Sequence, residues 1–114
     1  MNRTVRNALH DILQTIERLE WKTRDKTLAE FEADWELQFI AARGIEIISE
    51  ATRRLPEELK ATQPQIEWRS VAGIGNVLRH QYHTISNKVL WDAVQSDLPP
   101  LKRAIGAIAA LLPE

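Results

Sequence analysis

Apolar residues recur along this chain at alternating steps of three and four. Val5, Leu9, Ile12, Ile16 and Leu19 open the pattern and predict an amphipathic helix from about Val5 to Glu20. Trp21 to Lys26 is polar and reads as a connection. Thr27 followed by Glu30 fits a capping box, in which each side chain satisfies a free amide of the first turn, so a short helical piece is expected there. Asp34 caps a longer helix whose apolar stripe is Leu37, Ala41, Gly44, Ile48, Ala51 and Leu55. Pro56 ends that helix or opens a new turn, because proline has no amide to continue the ladder. Pro56 to Lys60 suits a short helix, and Gln63-Pro64-Gln65 a loop.

The helical pattern resumes from about Trp68 to Tyr82, with Val71, Ile74 and Leu78 on one side. Gly73 and Gly75 lie inside it, and each costs ~1 kcal/mol relative to alanine. That segment is therefore expected to be close-packed or irregular. Ser86 is a cap for a helix through Leu90, Trp91 and Val94. Pro99-Pro100 is expected to break the chain's helical path, since the residue before a proline avoids the helical region. A last helix carries Leu101, Ile105, Ile108 and Leu112.

No run alternates as a strand would, and there is no internal repeat or low-complexity tract. The fold class expected is all-α: a single domain over residues 1–114, built as an up-and-down bundle of four main helices plus short helical pieces. The sustained three–four spacing also suits pairing with a second copy, so a symmetric homodimer is expected. Trp35, Trp68 and Trp91 are expected to anchor the core.

Composition narrows the chemistry. Hydrophobic residues make up 44% and charged residues 27%, which argues against disorder. The formal net charge is -1, so any anion-binding site must be a local patch. The absence of cysteine excludes a disulfide scaffold, a cysteine nucleophile and thiolate metal ligation. No apolar stretch approaches the ~18 residues of a membrane span. No apolar run follows Met1 to Arg6, so no signal peptide is expected and a cytoplasmic location is.

One segment concentrates reactive groups: Arg79-His80-Gln81-Tyr82-His83. Histidine serves as general base or acid near neutral pH. Arginine and aromatic neighbours suit phosphates and unstacked bases. The same residues also suit a solvated helix end, where basic groups favour the dipole. His80 and His83 share a helix face, but a metal would need a third ligand from elsewhere, and no metal or cofactor is expected. His10, alone near an apolar stripe, reads as a surface or partly buried packing residue. Arg43, Glu46 and Glu50 share one face of the long helix. They read as a polar face laced by ion pairs, or as a site where Arg43 meets a phosphate. No phosphate-cradling glycine loop, Gly-x-Ser-x-Gly elbow or His-Glu-x-x-His motif occurs.

The order of several separated segments carries more. Arg43 to Ala51, Leu55-Pro56, Pro64 to Trp68, Gly73 to Tyr82, Val89 to Trp91 and Asp97 to Pro99 together resemble the HepT-like HEPN family over nearly the whole chain. The resemblance implies a dimeric helical bundle that acts as a metal-independent ribonuclease, the toxin of a toxin–antitoxin pair. It also implies a partner, a MntA-like minimal nucleotidyltransferase antitoxin that attaches AMP to a tyrosine beside the site. The family motif is arginine, a polar residue, three variable residues, histidine, one variable residue, tyrosine. Asn76, His80 and Tyr82 match it, which implies catalysis by His80 with Asn76 and RNA contact or AMPylation at Tyr82. The arginine position is occupied by Gly75. Loss of such a preorganised donor costs ~3–4 kcal/mol in a transition state, or ~100- to 1000-fold in rate. Arg79 is adjacent to His80 and so points about 100° away on a helix, and Arg69 lies roughly three turns upstream. Arg43 from the long helix is therefore the better candidate to replace the motif arginine, while Arg43, Arg79 and Tyr82 are all expected to contact RNA. Alternatives are a catalytically inactive relative that binds RNA or the nucleotidyltransferase, and a purely structural helical dimer.

Overall fold

The computed structural model describes residues 2–81 and 85–113. Among them the chain forms α1 (Asn2–Thr23), α2 (Leu28–Glu32), α3 (Trp35–Arg53), α4 (Glu57–Lys60), α5 (Trp68–Gln81), α6 (Asn87–Asp92) and α7 (Leu98–Leu111). A π-helical turn, Ala93–Asp97, joins the last two. No strand occurs among the described residues, and the fold is the expected all-α bundle.

Local chemistry sets most boundaries. Thr27 and Glu30 form the reciprocal capping box, with Thr27 N–H donating to Glu30 Oε1 at 2.9 Å and Glu30 N–H to Thr27 Oγ1 at 3.1 Å. The Asp34 carboxylate accepts from the Leu37 amide at 3.0 Å and starts α3. Ser86 caps α6 by accepting from the Val89 amide at 3.2 Å. The first helix outruns its expected end. The Thr23 hydroxyl folds back onto the Leu19 carbonyl at 2.8 Å, so this polar residue is buried within the last turn. The chain turns only at Asp25, whose φ of 61° is a left-handed conformation that aspartate tolerates better than most side chains.

Pro99 and Pro100 do not break the path. They occupy the first turn of α7, where amides have no intrahelical partner to lose. The widened turn before them closes by a bond from the Leu98 amide to the Ala93 carbonyl, five residues back. Helical chain therefore runs on from α6 into α7.

The stripes meet as read. Val5, Leu9, Ile12, Ile16 and Leu19 of α1 pack with Leu37, Ala41, Ile48 and Ala51 of α3, and with Leu101, Ile105 and Ile108 of α7, in one buried cluster. Gly44 is needed for close approach: a Cβ there would lie 2.8 Å from Leu19 Cδ1. Leu19 against Gly44 at one end, and Arg54 to Asp11 at 3.0 Å at the other, make α1 and α3 antiparallel. Lys102 of α7 meets Glu20 of α1 at 2.9 Å, and that hydrogen bond, then the carboxylate's charge, holds the lysine above its usual pKa.

Trp68 and Trp91 pack against the core as expected. Trp68 Nε1 donates to the Lys60 and Gln63 carbonyls at 3.0 and 3.1 Å, and the Trp91 ring sits 5.4 Å from that of Phe31. Trp35 departs from the expectation: it stands at the uncovered start of α3 and remains 64% exposed. His10 is exposed on α1.

Candidate active site

The site is built where α5 crosses α3. Ser49 of α3 is buried, and its hydroxyl donates to the Ala72 carbonyl at 2.7 Å while accepting from the Gly75 amide at 3.1 Å. Arg53 Nη2 donates to the same Ala72 carbonyl at 2.9 Å. Higher positions on α3 thus meet lower ones on α5, so the two helices run antiparallel.

Gly75 is what permits this approach. A Cβ on it would press onto Ser49 Oγ and lie 2.5 Å from Ser49 Cβ, with the Glu46 carbonyl oxygen 3.6 Å away. The side of residue 75 therefore faces into the helix interface. Gly73 differs, since a Cβ there meets nothing within 4 Å. The two glycines resolve into one close-packed position and one open one, within an α5 that stays regular.

Asn76, Arg79 and His80 are all exposed on α5, with Asn76 and His80 turned away from α3 and Arg79 at the edge of the interface. Positions 76 and 80 are one turn apart and so are neighbours. The direction of Arg79 differs from that of His80 by about 100°. Its long side chain nevertheless reaches across the face: Nη2 donates to Asn76 Oδ1 at 3.4 Å, and Nη1 pairs with Glu50 Oε2 of α3 at 3.0 Å. The guanidinium is thus held at two points beside the exposed face that carries His80.

Arg43 is placed by the helix register. Gly75 packs between Ser49 and the Glu46 carbonyl, and His80 lies about 7 Å further along α5 at 1.5 Å per residue. The same step along α3 reaches about residue 43. Arg43 is exposed at that level and pairs with Glu46 at 2.8 Å. The ion-paired polar face read from Arg43, Glu46 and Glu50 is present, but Glu50 turns away from Arg43 toward Arg79. This cross-helix pair, Glu50 with Arg79, had no signal in the sequence because its members are 29 residues apart.

Tyr82 and His83 lie outside the described residues. No three His, Asp or Glu side chains converge as a metal-binding set among the described residues. A hollow of about 450 Å³ between α3, α5 and α7 is lined mainly by Ile45, Ile48, Val71, Ile74, Leu98 and Leu101, and touches none of Asn76, Arg79 or His80. No described helix is long and apolar enough to cross a membrane.

Comparison with known proteins agrees with the segment order. The Ribonuclease HepT-like family profile matches residues 12–108. A Thermococcus cleftensis protein named "Probable ribonuclease HepT" is 37% identical over 102 residues, covering 90% of this chain and 93% of that one. "Putative RNase MJ0127" of Methanocaldococcus jannaschii is 35% identical, covering 83% and 78% of the two chains. "Putative RNase TTE0752" of Caldanaerobacter subterraneus is 28% identical, covering 93% and 95%. No solved structure gives a significant match. With its all-helical fold and these matches over most of its length, the chain belongs to the HepT-like ribonuclease family.

Proposed function

We propose that this chain is a metal-independent RNA endonuclease in which His80 moves the proton and Arg79, steadied by Asn76 and Glu50, holds the scissile phosphate. The observation that carries this reading is the exposed Asn76–Arg79–His80 face with its guanidinium held at two points. A fixed cation beside a histidine is what attack by a ribose hydroxyl on its neighbouring phosphate requires. His80 accepts the 2′-hydroxyl proton as the O2′–P bond forms. The P–O5′ bond breaks, and the departing oxygen takes a proton from the imidazolium or from water. The products are a 2′,3′-cyclic phosphate and a 5′-hydroxyl end. Because Gly75 faces α3, Arg79 takes the part of the motif arginine, and activity is retained without a cation at position 75.

The test is cleavage of single-stranded RNA with a chelator present, beside the same RNA carrying 2′-deoxyribose at each cut position. The expected result is cleavage of the first with cyclic-phosphate ends and an intact second. Cutting of both, or binding without cutting, refutes the proposed chemistry; the latter is the behaviour of an inactive RNA-binding relative.

The biological setting belongs to the same reading: a homodimeric cytoplasmic toxin restrained by a MntA-like nucleotidyltransferase. AMP on the Tyr82 hydroxyl would add negative charge and bulk two residues from His80, repelling the RNA backbone as a phosphate would. Incubation with that enzyme and ATP should add one AMP mass to the Tyr82 peptide and suppress cleavage. Modification of other peptides alone, or none, counts against this control.

A further inference from the structure

Two large aromatic side chains at the start of α3 are left in water. Trp35 is 64% exposed and Phe39 56%. They are one turn apart, and their rings meet edge-to-face with centroids 5.5 Å apart. Edge-to-face contact leaves much of the indole surface open. The exposed Trp21 is different, because the Arg24 guanidinium lies 3.9 Å over its ring.

The base under this pair is tied down by hydrogen bonds. Asp34 caps the helix at the residue before Trp35, and Gln38 Nε2 donates to the Phe31 and Glu32 carbonyls at 3.0 and 3.1 Å. Rings presented on such a support lose little freedom when a flat group lies on them.

Their position gives them a use. Trp35, Phe39, Glu46, Glu50 and Arg53 follow one another at steps of four, seven, four and three, so they form a single stripe along α3. Glu50 and Arg53 of that stripe reach α5 directly. His80 lies level with about residue 43. Phe39 then lies about 6 Å beyond that level, and Trp35 about 12 Å beyond it.

Resting on the ribonuclease reading, we propose that Trp35, supported by Phe39, is a stacking platform for an unpaired base one or two nucleotides from the phosphate held at Arg79 and His80. Glu36 borders the stripe, and Glu46 and Glu50 stand within it, so negative charge disfavours the anionic backbone there. The occupant is therefore a neutral planar base with its backbone directed toward Arg79 and Arg43. Such a platform accepts single strands and rejects duplex, whose bases already stack on each other.

The test is binding of a short single-stranded RNA with 2′-O-methyl riboses, which cannot be cleaved, read by fluorescence anisotropy beside the corresponding duplex. Trp35→Ala is expected to weaken single-strand binding about ten-fold and leave duplex binding unchanged, while Trp35→Phe retains most of the affinity. Sedimentation of each variant accompanies the titration. Unchanged single-strand affinity in Trp35→Ala overturns the platform alone, and so does an equal loss for duplex. A change of oligomeric state in Trp35→Ala also overturns it, because a second copy then covers the rings. Failure of the parent chain to bind either RNA overturns the platform together with the ribonuclease reading.

Discussion

Alanine at position 80 is expected to lower RNA cleavage by about 10²–10⁴-fold, the usual contribution of a positioned acid–base group. The thermal midpoint should barely move, because His80 lies on the exposed side of α5 and is not part of the buried cluster. Arg79→Ala should lower the rate by about 100- to 1000-fold through loss of the cation that offsets charge developing on the phosphate. Arg79→Lys should recover only part of it, since a lysine ammonium lacks the two-pronged hold on Glu50 and Asn76. The comparison is made as initial rates on one RNA with chelator present. Parent-like cutting by His80→Ala would remove histidine from the chemistry.

The second large effect concerns stability. Placing the family arginine there by Gly75→Arg is expected to destabilise the fold by about 1–5 kcal/mol and to leave cleavage no faster. Two terms add. Its Cβ and chain must displace the Ser49 side chain from a closed interface, and overpacking of this kind costs about 1–3 kcal/mol. A displaced Ser49 also loses its bonds to Ala72 and Gly75, and a buried unsatisfied hydroxyl costs about 1–3 kcal/mol. The gain in helix propensity, about 1 kcal/mol, offsets only part. Gly73→Ala receives the same propensity gain without an obstruction, so it should stabilise by up to about 1 kcal/mol. Urea unfolding of the two variants reads both signs. Ser49→Gly added to Gly75→Arg should recover part of the loss if Ser49 is the obstacle. A Gly75→Arg variant as stable as the parent, or one that cuts faster, would place residue 75 outside the interface.

What the sequence determined by itself is what depends on neighbours a turn away. The capping box of Thr27 and Glu30, the caps at Asp34 and Ser86, and the stripe from Leu37 to Leu55 are local, since helical period and a free first-turn amide are properties of a few consecutive residues. The segment order that marks the family is likewise written along the chain, as is the grouping of Asn76, Arg79 and His80 within five positions.

Only the tertiary structure decided the rest, because each point turns on which face of a helix acquires a neighbour. The three–four spacing shows that α5 has an apolar side, but not that Gly75 is where Ser49 clamps it. Trp35 has the size of a core anchor, yet the side of α3 on which it stands is left uncovered at that end. Pro99 and Pro100 forbid helix in their predecessors on average, but a widened turn supplied the missing geometry and let the chain run on. Arg79 depends on Glu50, 29 residues away, for its hold beside the face that carries His80. No local pattern encodes such a pair; antiparallel packing of α3 against α5 creates it.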